Sequence, residues 1–323
     1  MKILANDGID AAGKNALQEL GYTVLTDKVS QEELASFIVK ENVIGLLVRS
    51  ATTARKELID TCAGTLRFIG RGGVGIDNID KDYAESKGIR VFNTPGASSQ
   101  SVAELVMSLM FASARFTYQS GANMSSRGNT EFDKLKKDFS KGIELRGKTL
   151  GIIGFGKIGR SLASYALGCG MNVLAFDVYT PESSEVEVTV GTQTLRIHVP
   201  MEAMETVLQK SDFVSLHVPK QKDGSAVIGE AQLAMMKKGA VIINSSRGGV
   251  VHEDALIASL NSGHLRMAAL DVFEKEPTPR QDLLAHPLVI STPHIGASTL
   301  EAQERIGLEI AARVKEIMSE VQA

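Results

Sequence analysis

The sequence predicts an α/β protein whose parallel sheets are covered by helices on both faces. Short apolar runs alternate with helical patterns from the start, beginning with a strand at Lys2–Asn6 and a helix at Ala11–Leu20. Near-continuous apolar strands separated by helices are typical of parallel sheets that are buried on both sides. A second series of this kind opens at Lys148–Ile153 and runs to Leu270. The first series continues with strands and one helix at Tyr22–Thr26, Gln31–Lys40 (helix), Val43–Val48, Arg67–Ile69 and Ile89–Phe92.

Several segments depart from this simple alternation. Ser98–Tyr118 predicts one long, strongly apolar helix, which we expect to be buried between domains or at a subunit contact. Ser183–Pro200 predicts an inserted β-hairpin, because two alternating stretches flank Gly191 and Thr192. Ser298–Met318 predicts a final amphipathic helix. Lysines of the polar segment after the apolar helix are interpreted as a solvated helix face: Lys134, Lys136, Lys137 and Lys141.

Composition and charge limit the class of protein. The 323 residues are 43% hydrophobic and 23% charged, as expected of a globular chain long enough for two domains. The net charge of −3 argues against a nucleic-acid surface, which needs concentrated basic residues. Cys62 and Cys169 are too few and too far apart for a disulfide framework, and no ligand spacing indicates a metal.

The N-terminal segment and the lengths of the apolar runs bear on location. The chain reaches Asn6 and Asp7 too soon to form the apolar core of a signal peptide. No uncharged apolar run approaches the roughly 20 residues that a spanning helix needs. We therefore expect a cytoplasmic protein with no membrane partner and no nucleic-acid partner.

A glycine-rich turn opens the second series. The apolar strand before it runs into Gly154, Gly156 and Gly159, and a helical pattern follows. This G-x-G-x-x-G spacing is weak evidence alone, but the strand before it and the helix after it are the context of a dinucleotide-binding turn. The first glycine permits the turn, the second lets a pyrophosphate approach, and the third allows close packing. The helix N-terminus attracts the phosphates.

An acidic residue follows at the distance that this motif requires. The next strand, Asn172–Phe176, ends at Asp177, about 20 residues beyond the glycines. A carboxylate there can bind both ribose hydroxyls of NAD and would repel the additional phosphate of NADP. No arginine follows directly to accept that phosphate. The sequence therefore predicts NAD as the cofactor.

Three later strands each lead into a loop with an ionisable residue. Such loops lie at one edge of a parallel sheet, where ligands bind. Oxidising a secondary alcohol requires a base, for which His294 is suited, and Glu276 would orient the imidazole. Arg247 offers a fork for a substrate carboxylate. Each residue has a plainer structural interpretation, but together they indicate hydride transfer. The strands are Ala240–Asn244, Met267–Leu270 and Leu288–Ile290.

These motifs resemble those of the D-isomer-specific 2-hydroxyacid dehydrogenases, over essentially the whole chain. The first two motifs and the last point to the phosphoglycerate branch of that family. They are VRSAT (Val48–Thr52), GRGGVGIDNID (Gly70–Asp80), NTPGASSQSVAEL (Asn93–Leu105), the glycine turn, NSSRGG (Asn244–Gly249), LDVFEKEP (Leu270–Pro277) and TPHIGAST (Thr292–Thr299).

The resemblance implies two Rossmann-like domains with parallel sheets, the cofactor domain being inserted into the substrate domain. Residues 1–97 and 295–323 would form the substrate-binding domain, and residues 98–294 the NAD-binding domain. Relatives of this kind imply a homodimer or homotetramer. Because the sequence ends at Ala323, we expect no additional C-terminal regulatory domain.

The resemblance also assigns roles to residues, with Arg247, Glu276 and His294 as the catalytic set. Besides the three glycines and Asp177, the residues expected to contact NAD are Val74, Lys157, Ile158, His217, Val218, Pro219, Ser245, Ser246, Asp271, Gly296 and Ala297. The residues expected to bind substrate are Arg49, Ser50, Arg71, Gly73, Val74, Gly75 and Arg247. Among these, Arg49 and Arg71 would hold a substrate phosphate, helped by a lysine of the 134–141 cluster.

The implied reaction is oxidation of D-3-phosphoglycerate to 3-phosphohydroxypyruvate, the first step of phosphorylated serine biosynthesis. The nearest alternative is a reductase of glyoxylate, hydroxypyruvate or 2-oxoglutarate, which uses the same chemistry on another substrate. A third alternative is an NAD-responsive, corepressor-like interaction protein, which would have to explain why the arginine, glutamate and histidine are all present.

Overall fold

The computed structural model describes residues 1–179 and 184–322. The chain forms two compact units by its internal contacts. One contains Met1–Ser101 and the segment from Ala297 onward, and the other contains Val102–Gly296. Each unit holds a parallel sheet, so the predicted α/β fold is confirmed. None of the helices described is both long and apolar enough to cross a membrane.

The first unit is built on a five-stranded parallel sheet. Its strands are β1 (Lys2–Ala5), β2 (Thr23–Leu25), β3 (Val43–Val48), β4 (Phe68–Arg71) and β5 (Arg90–Asn93). The helices between them are α1 (Ala11–Glu19), α2 (Leu34–Lys40), α3 (Lys56–Cys62) and α4 (Lys81–Ser86). The strand order is β2-β1-β3-β4-β5, so β3 and β4 are neighbours and Val48 pairs with Arg71.

The second unit is built on a six-stranded parallel sheet and a separate hairpin. Its helices are α5 (Ser99–Arg115), whose first turn belongs to the first unit, α6 (Thr117–Asp138), α7 (Lys157–Gly168), α8 (Met204–Lys210), α9 (Glu230–Met235), α10 (Glu253–Asn261) and α11 (Gln281–Leu284). Its strands are β6 (Thr149–Ile153), β7 (Asn172–Phe176), β8 (Ser184–Val190), β9 (Gln193–Val199), β10 (Phe213–Leu216), β11 (Val241–Asn244), β12 (Met267–Leu270) and β13 (Val289–Ser291).

The strand order of the second sheet fixes where a ligand would bind. The order is β13-β12-β11-β10-β6-β7, so the connections run in opposite directions on the two sides of the β6–β10 pair. In open parallel sheets ligands bind beyond the carboxyl ends of the strands at such a reversal. The glycine turn follows β6 at this point, and His217 follows β10.

The final helix, α12 (Leu300–Gln322), returns to the first unit and covers one face of its sheet. It packs closely against α1 where Gly13 meets Gly307. A Cβ atom on Gly13 would lie 2.4 Å from the Gly307 Cα, so the two helices can approach this closely only with glycine. Buried side chains such as Leu17 and Val314 complete that face, while Ile38 belongs to the core on the other.

The prediction of a single helix over Ser98–Tyr118 is wrong at its C-terminal end. The helix α5 ends at Arg115, Phe116 adopts a φ of +54°, and α6 continues through the polar segment to Asp138. The Phe116 ring lies 6.1 Å from that of Phe139, and the Arg266 guanidinium lies 4.6 Å from its centroid. Side chains distant in the sequence therefore pack around the residue that separates α5 from α6. The lysines of α6 are exposed, as predicted.

The predicted inserted hairpin is confirmed as the antiparallel pair β8–β9, although Ser183 lies outside the described residues. Its buried face contributes Val186 and Val188 to the same core as α7. Its other face carries cross-strand pairs, such as Arg196 with Glu187 at 3.3 Å. The insertion therefore covers a helix that would otherwise expose apolar surface.

Candidate active site

The glycine turn between β6 and α7 has room for a ligand at one of its three glycines. Gly154 has a φ of +97°, and a Cβ there would lie 2.4 Å from the His217 carbonyl oxygen. A Cβ on Gly159 would lie 2.4 Å from the Gly154 carbonyl oxygen. At Gly156, by contrast, a Cβ would meet no described atom within 4 Å. The backbone therefore requires the outer two glycines, and the middle one leaves open space.

The N-terminus of α7 faces this turn. Gly156 is the N-cap and provides no side-chain hydrogen bond, and Arg160 makes the first main-chain bond of the helix, to Gly156. The N–H groups of Lys157, Ile158 and Gly159 therefore precede the intrahelical pattern. Such groups at the positive end of a helix dipole are suited to a phosphate group.

Asp177 lies where β7 ends and is fixed against the glycine turn. Its Oδ2 accepts a hydrogen bond from the Phe155 N–H at 2.7 Å, and its Oδ1 accepts one from the Tyr179 N–H at 2.8 Å. Each carboxylate oxygen has a further lone pair for a ligand hydroxyl. The structure thus places Asp177, which is predicted to bind the ribose, next to the glycine turn that is predicted to bind the phosphates.

Two buried polar atoms at the neighbouring strand ends have no hydrogen-bond partner in the described part of the chain. They are His217 Nδ1 and Ser245 Oγ, which follow the paired residues Leu216 and Asn244. The other ring nitrogen of His217 bonds to Ser215 Oγ at 2.9 Å. Burial lowers the pKa of His217 to about 4, so the ring is neutral near pH 7. Unsatisfied buried polar groups are unfavourable, so this edge fits a polar ligand such as a dinucleotide.

An acid–base pair lies in the loops after β12 and β13. His294 Nδ1 and Glu276 Oε2 are 2.7 Å apart, and Glu276 Oε1 accepts from the Phe273 N–H at 3.0 Å. Burial alone would raise the pKa of Glu276, but these two hydrogen bonds, with the charges of His294 and Arg247, lower it. The ionised carboxylate accepts from Nδ1–H, which leaves Nε2 as the nitrogen that can take a proton.

The histidine loop is held in place by Asp271. His294 adopts a φ of +55°, a conformation that non-glycine residues seldom take. Asp271 is 1% exposed, and its carboxylate accepts from Thr292 Oγ1 at 2.6 Å and from the N–H groups of Ile295 and Gly296, both at 2.9 Å. The structure therefore gives Asp271 a positioning role on either side of His294. Its predicted contact with NAD stays a prediction.

Arg247 follows β11 in a loop organised by Asn244, a residue that the sequence interpretation had missed. Asn244 Nδ2 donates to the Arg247 carbonyl oxygen at 2.9 Å, and its Oδ1 accepts from the Ser246 N–H and hydroxyl at 3.1 and 2.8 Å. The guanidinium lies close enough to Glu276 for its charge to lower the pKa of that carboxyl. The structure thus brings Arg247, Glu276 and His294 together at one edge of the second sheet.

The predicted substrate residues of the first unit lie at the carboxyl ends of its central strands. Arg49 follows β3 and Arg71 ends β4, and Arg71 Nε donates to the Arg49 carbonyl oxygen at 3.2 Å. The Gly73 N–H donates to Thr94 Oγ1 at 2.9 Å, and the Val74 carbonyl oxygen accepts a short hydrogen bond from Asn93. Ser50 and Val74 are exposed and Gly75 is half-buried.

The remaining predicted cofactor residues lie in the same loops of the second unit. Val218 flanks the glycine turn, since its Cγ1 would be 2.9 Å from a Cβ on Gly154. Pro219 follows it in the loop after β10. Gly296 is buried against Asp271, and Ala297 begins the returning segment of the first unit. In the described part of the chain, no cluster of His, Cys, Asp and Glu is arranged to hold a metal ion.

Comparison with known proteins identifies the family of the chain. The profile of the D-isomer specific 2-hydroxyacid dehydrogenase NAD-binding domain matches residues 107–296. D-3-phosphoglycerate dehydrogenase of Methanocaldococcus jannaschii is 42% identical over 318 residues, which are 98% of this chain and 57% of that protein. Hydroxypyruvate reductase of Thermotoga maritima is 40% identical over 319 residues, 97% of each protein.

A solved structure of a 2-hydroxy acid dehydrogenase is also similar to this chain. The D-lactate dehydrogenase of Aquifex aeolicus, complexed with NAD and lactic acid, superposes with a TM-score of 0.75 at 29% identity over 99% of this chain and 95% of that one. The chain belongs to the D-isomer specific 2-hydroxyacid dehydrogenase family. The matched domain of this family binds NAD, so NAD is its cofactor. The chain spans about half the length of several relatives that it matches.

Proposed function

We propose that the protein oxidises D-3-phosphoglycerate to 3-phosphohydroxypyruvate with NAD, the first step of phosphorylated serine biosynthesis. The observation that carries the chemistry is the 2.7 Å contact between His294 Nδ1 and Glu276 Oε2, close to Arg247. It provides a base, a group that orients the base, and a cation for the substrate carboxylate within one unit. The choice of a phosphorylated substrate is supported by two arginines, Arg49 and Arg71, at neighbouring strand ends.

In this proposal His294 Nε2 takes the C2 hydroxyl proton as the C2–H bond breaks. Bound NAD supplies the hydride acceptor. Glu276, ionised and held by the Phe273 N–H, stabilises the imidazolium that forms and keeps Nε2 directed at the substrate. Arg247 binds the carboxylate next to C2 through its planar fork and polarises the forming carbonyl. Oxidation at C2 thus yields the 2-oxo acid, with the proton on His294.

The cofactor is proposed to lie along the glycine turn. Gly156 leaves the open space that a pyrophosphate needs, and the first N–H groups of α7 would donate to it. Asp177 would accept from the ribose hydroxyls. His217 Nδ1 and Ser245 Oγ would find their missing partners in the cofactor or in waters around it. The other predicted contacts, such as Val218 and Gly296, line the same loops.

In the first unit, Arg49 and Arg71 are proposed to bind the phosphate of the substrate. Guanidinium groups bind phosphate through paired, charge-assisted hydrogen bonds. The main-chain N–H groups of Val74 and Gly75 are proposed to contact the carboxylate end, beside Gly73, whose own N–H donates to Thr94 Oγ1. Ser50, exposed beside Arg49, is proposed to add a hydroxyl.

A second candidate function is reduction of hydroxypyruvate or a similar unphosphorylated 2-oxo acid such as glyoxylate. It is favoured by the Thermotoga maritima hydroxypyruvate reductase, which this chain matches over 97% of its length. The acid–base pair would work in the opposite direction, with His294 giving its proton to the new hydroxyl. The two candidates differ in whether Arg49 and Arg71 have a phosphate to bind.

An NADH-absorbance assay on paired substrates separates the two candidates. We expect wild-type protein to prefer 3-phosphoglycerate to D-glycerate, and Arg49→Ala to lower kcat/KM for the phosphorylated acid roughly 10- to 100-fold. Activity on D-glycerate should change little. Arg55→Ala is the matched control, because Arg55 is an exposed arginine of the same unit that pairs with Asp80 at 2.7 Å. Equal losses on both substrates would contradict a phosphate site at Arg49.

A homodimer or homotetramer is proposed from the surface of α5 and α6. Large apolar side chains are exposed along these helices: Phe111, Tyr118, Met124 and Phe132. Exposed large apolar side chains of this kind are often found at subunit contacts. Sedimentation velocity of the wild type and of a Phe111→Glu, Phe132→Glu variant would measure the association. The cytoplasmic location stays a prediction from the sequence.

A further inference from the structure

The main chain of Arg49 is held from both sides by side chains of its own unit. Its N–H donates to Asp7 Oδ2 at 2.7 Å, and its carbonyl oxygen accepts from Asn78 Nδ2 at 2.8 Å. Arg71 Nε donates to the same carbonyl oxygen at 3.2 Å. Because both main-chain groups of Arg49 have side-chain partners, the protein itself fixes the backbone from which the Arg49 side chain extends.

Asp7 and Asn78 also hold the far end of this loop, at Thr52. The Thr52 N–H donates to Asp7 Oδ2 at 3.0 Å, and its hydroxyl donates to Asp7 Oδ1 at 2.7 Å. The Thr52 carbonyl oxygen accepts from Asn78 Nδ2 at 2.6 Å, and Asn6 Nδ2 donates to the Thr52 hydroxyl oxygen at 2.9 Å. The same two side chains therefore fasten the loop 49–52 at its first and last residues.

Asp7 serves this loop as an ionised acceptor. Its side chain is only 5% exposed, with the Lys28 ammonium 3.7 Å away. Burial alone would raise the pKa of Asp7, but the hydrogen bonds from Arg49 and Thr52, helped by the charge of Lys28, lower it. These hydrogen bonds come from main-chain N–H groups and a hydroxyl. The carboxylate therefore acts on the backbone of the loop.

We infer that Asp7 and Asn78 are positioning residues that direct the Arg49 guanidinium at the substrate phosphate. This inference rests on the proposed function. A paired arginine–phosphate contact requires the planar fork to meet the phosphate oxygens at a set angle. A loosened loop therefore weakens the contact even though both arginines remain, and errors of about 1 Å in position are enough to matter.

Charge and position predict opposite effects of Asp7→Asn. The substitution removes a negative charge next to Arg49, so an electrostatic role alone would strengthen phosphate binding. An amide has one acceptor oxygen where the carboxylate has two, so loop donors lose partners and a positioning role weakens binding. We expect KM for 3-phosphoglycerate to rise about tenfold while kcat stays within about twofold.

The test compares 3-phosphoglycerate with D-glycerate in the wild type, Asp7→Asn and Asn78→Ala. Both variants should raise KM for the phosphorylated acid alone and raise the inhibition constant of inorganic phosphate to the same extent. Lys28→Met is the matched control, because it removes a charge beside Asp7 and leaves the hydrogen bonds to the loop in place. It should change neither constant by more than about twofold.

The possible outcomes separate this inference from the proposed function. A wild type with no preference for the phosphorylated acid overturns both. A wild type that prefers it, with an Asp7→Asn variant that binds it equally or more tightly, overturns the inference alone. If Asp7→Asn does not fold, as measured by thermal melting, the KM ratio of Asn78→Ala decides, since that variant keeps the carboxylate.

Discussion

The carboxyl edges of the two sheets satisfy their buried polar groups in different ways. In the first unit, Asp7, Thr52 and Asn78 bond to one another and to the main chain of the loop after β3. Of this network, Asn78 Oδ1 alone is a buried atom without a described partner. In the second unit, His217 Nδ1 and Ser245 Oγ are buried at adjacent strand ends, and neither has a hydrogen-bond partner among the described residues.

The difference indicates which edge is complete before a ligand arrives. A loop whose donors and acceptors are already paired keeps its shape, so the first unit presents its arginines on a preformed surface. Buried polar atoms left unsatisfied each cost about 1–3 kcal/mol, which a polar ligand can recover. The second edge should therefore gain more stability from its ligand than the first.

The largest effect is expected at the acid–base pair of the second edge. His294→Ala removes the proposed base and should lower kcat about 1000-fold, and Glu276→Gln, which keeps the shape but loses the charge, about 100-fold. NADH binding, measured by fluorescence, should change less than about threefold in both variants. Turnover that survives in His294→Ala would assign the base elsewhere.

Two variants of the glycine turn should separate an effect on cofactor binding from an effect on folding. Gly156→Ala places a Cβ where no described atom lies within 4 Å, so its melting temperature without cofactor should match the wild type while NADH affinity falls at least tenfold. Gly154→Ala places a Cβ 2.4 Å from a carbonyl oxygen and should melt lower with or without cofactor. Normal NADH affinity in Gly156→Ala would contradict a pyrophosphate at this turn.

A smaller effect is expected from pH, and it should appear first in the second unit. The pKa of His217 is about 4 in the folded state and near 6.5 when the chain is unfolded, so the unfolded state binds more protons between these values. Stability is therefore lost as pH falls from about 6.5 to 4, by at most about 3 kcal/mol. Urea midpoints should fall less over this range in His217→Gln. Asp7, with its lowered pKa, affects stability only at lower pH.

Much of the fold was predictable, because strand composition and glycine spacing are local signals. Val43–Val48, Asn172–Phe176 and Met267–Leu270 were predicted with the bounds that the structure has. The break at Phe116 was not, since no glycine or proline marks it and the sequence around it favours a continuous helix. Its partners, Phe139 and Arg266, come from distant parts of the chain.

In the candidate site, too, local sequence signals could be read and contacts between distant residues could not. The residues proposed to carry the chemistry, such as Glu276 and His294, lie in motifs and could be named from the sequence. Residues that position them, such as Asp7 and Asn244, are single polar side chains whose partners become visible only when strand ends meet in space. A strand-end Asp or Asn directly before a loop was the one signal available, and it does not by itself say which main-chain groups it binds.

The φ of +55° at His294 opposes the stability of the folded chain to the chemistry proposed for that residue. A side chain in that backbone region costs about 1–3 kcal/mol, which glycine would avoid almost entirely. Glycine at position 294 would relieve this backbone cost, but it would remove the hydrogen bond to Glu276 Oε2 and the proposed base. The proposed reaction, and not the stability of the backbone, therefore accounts for a histidine at this position.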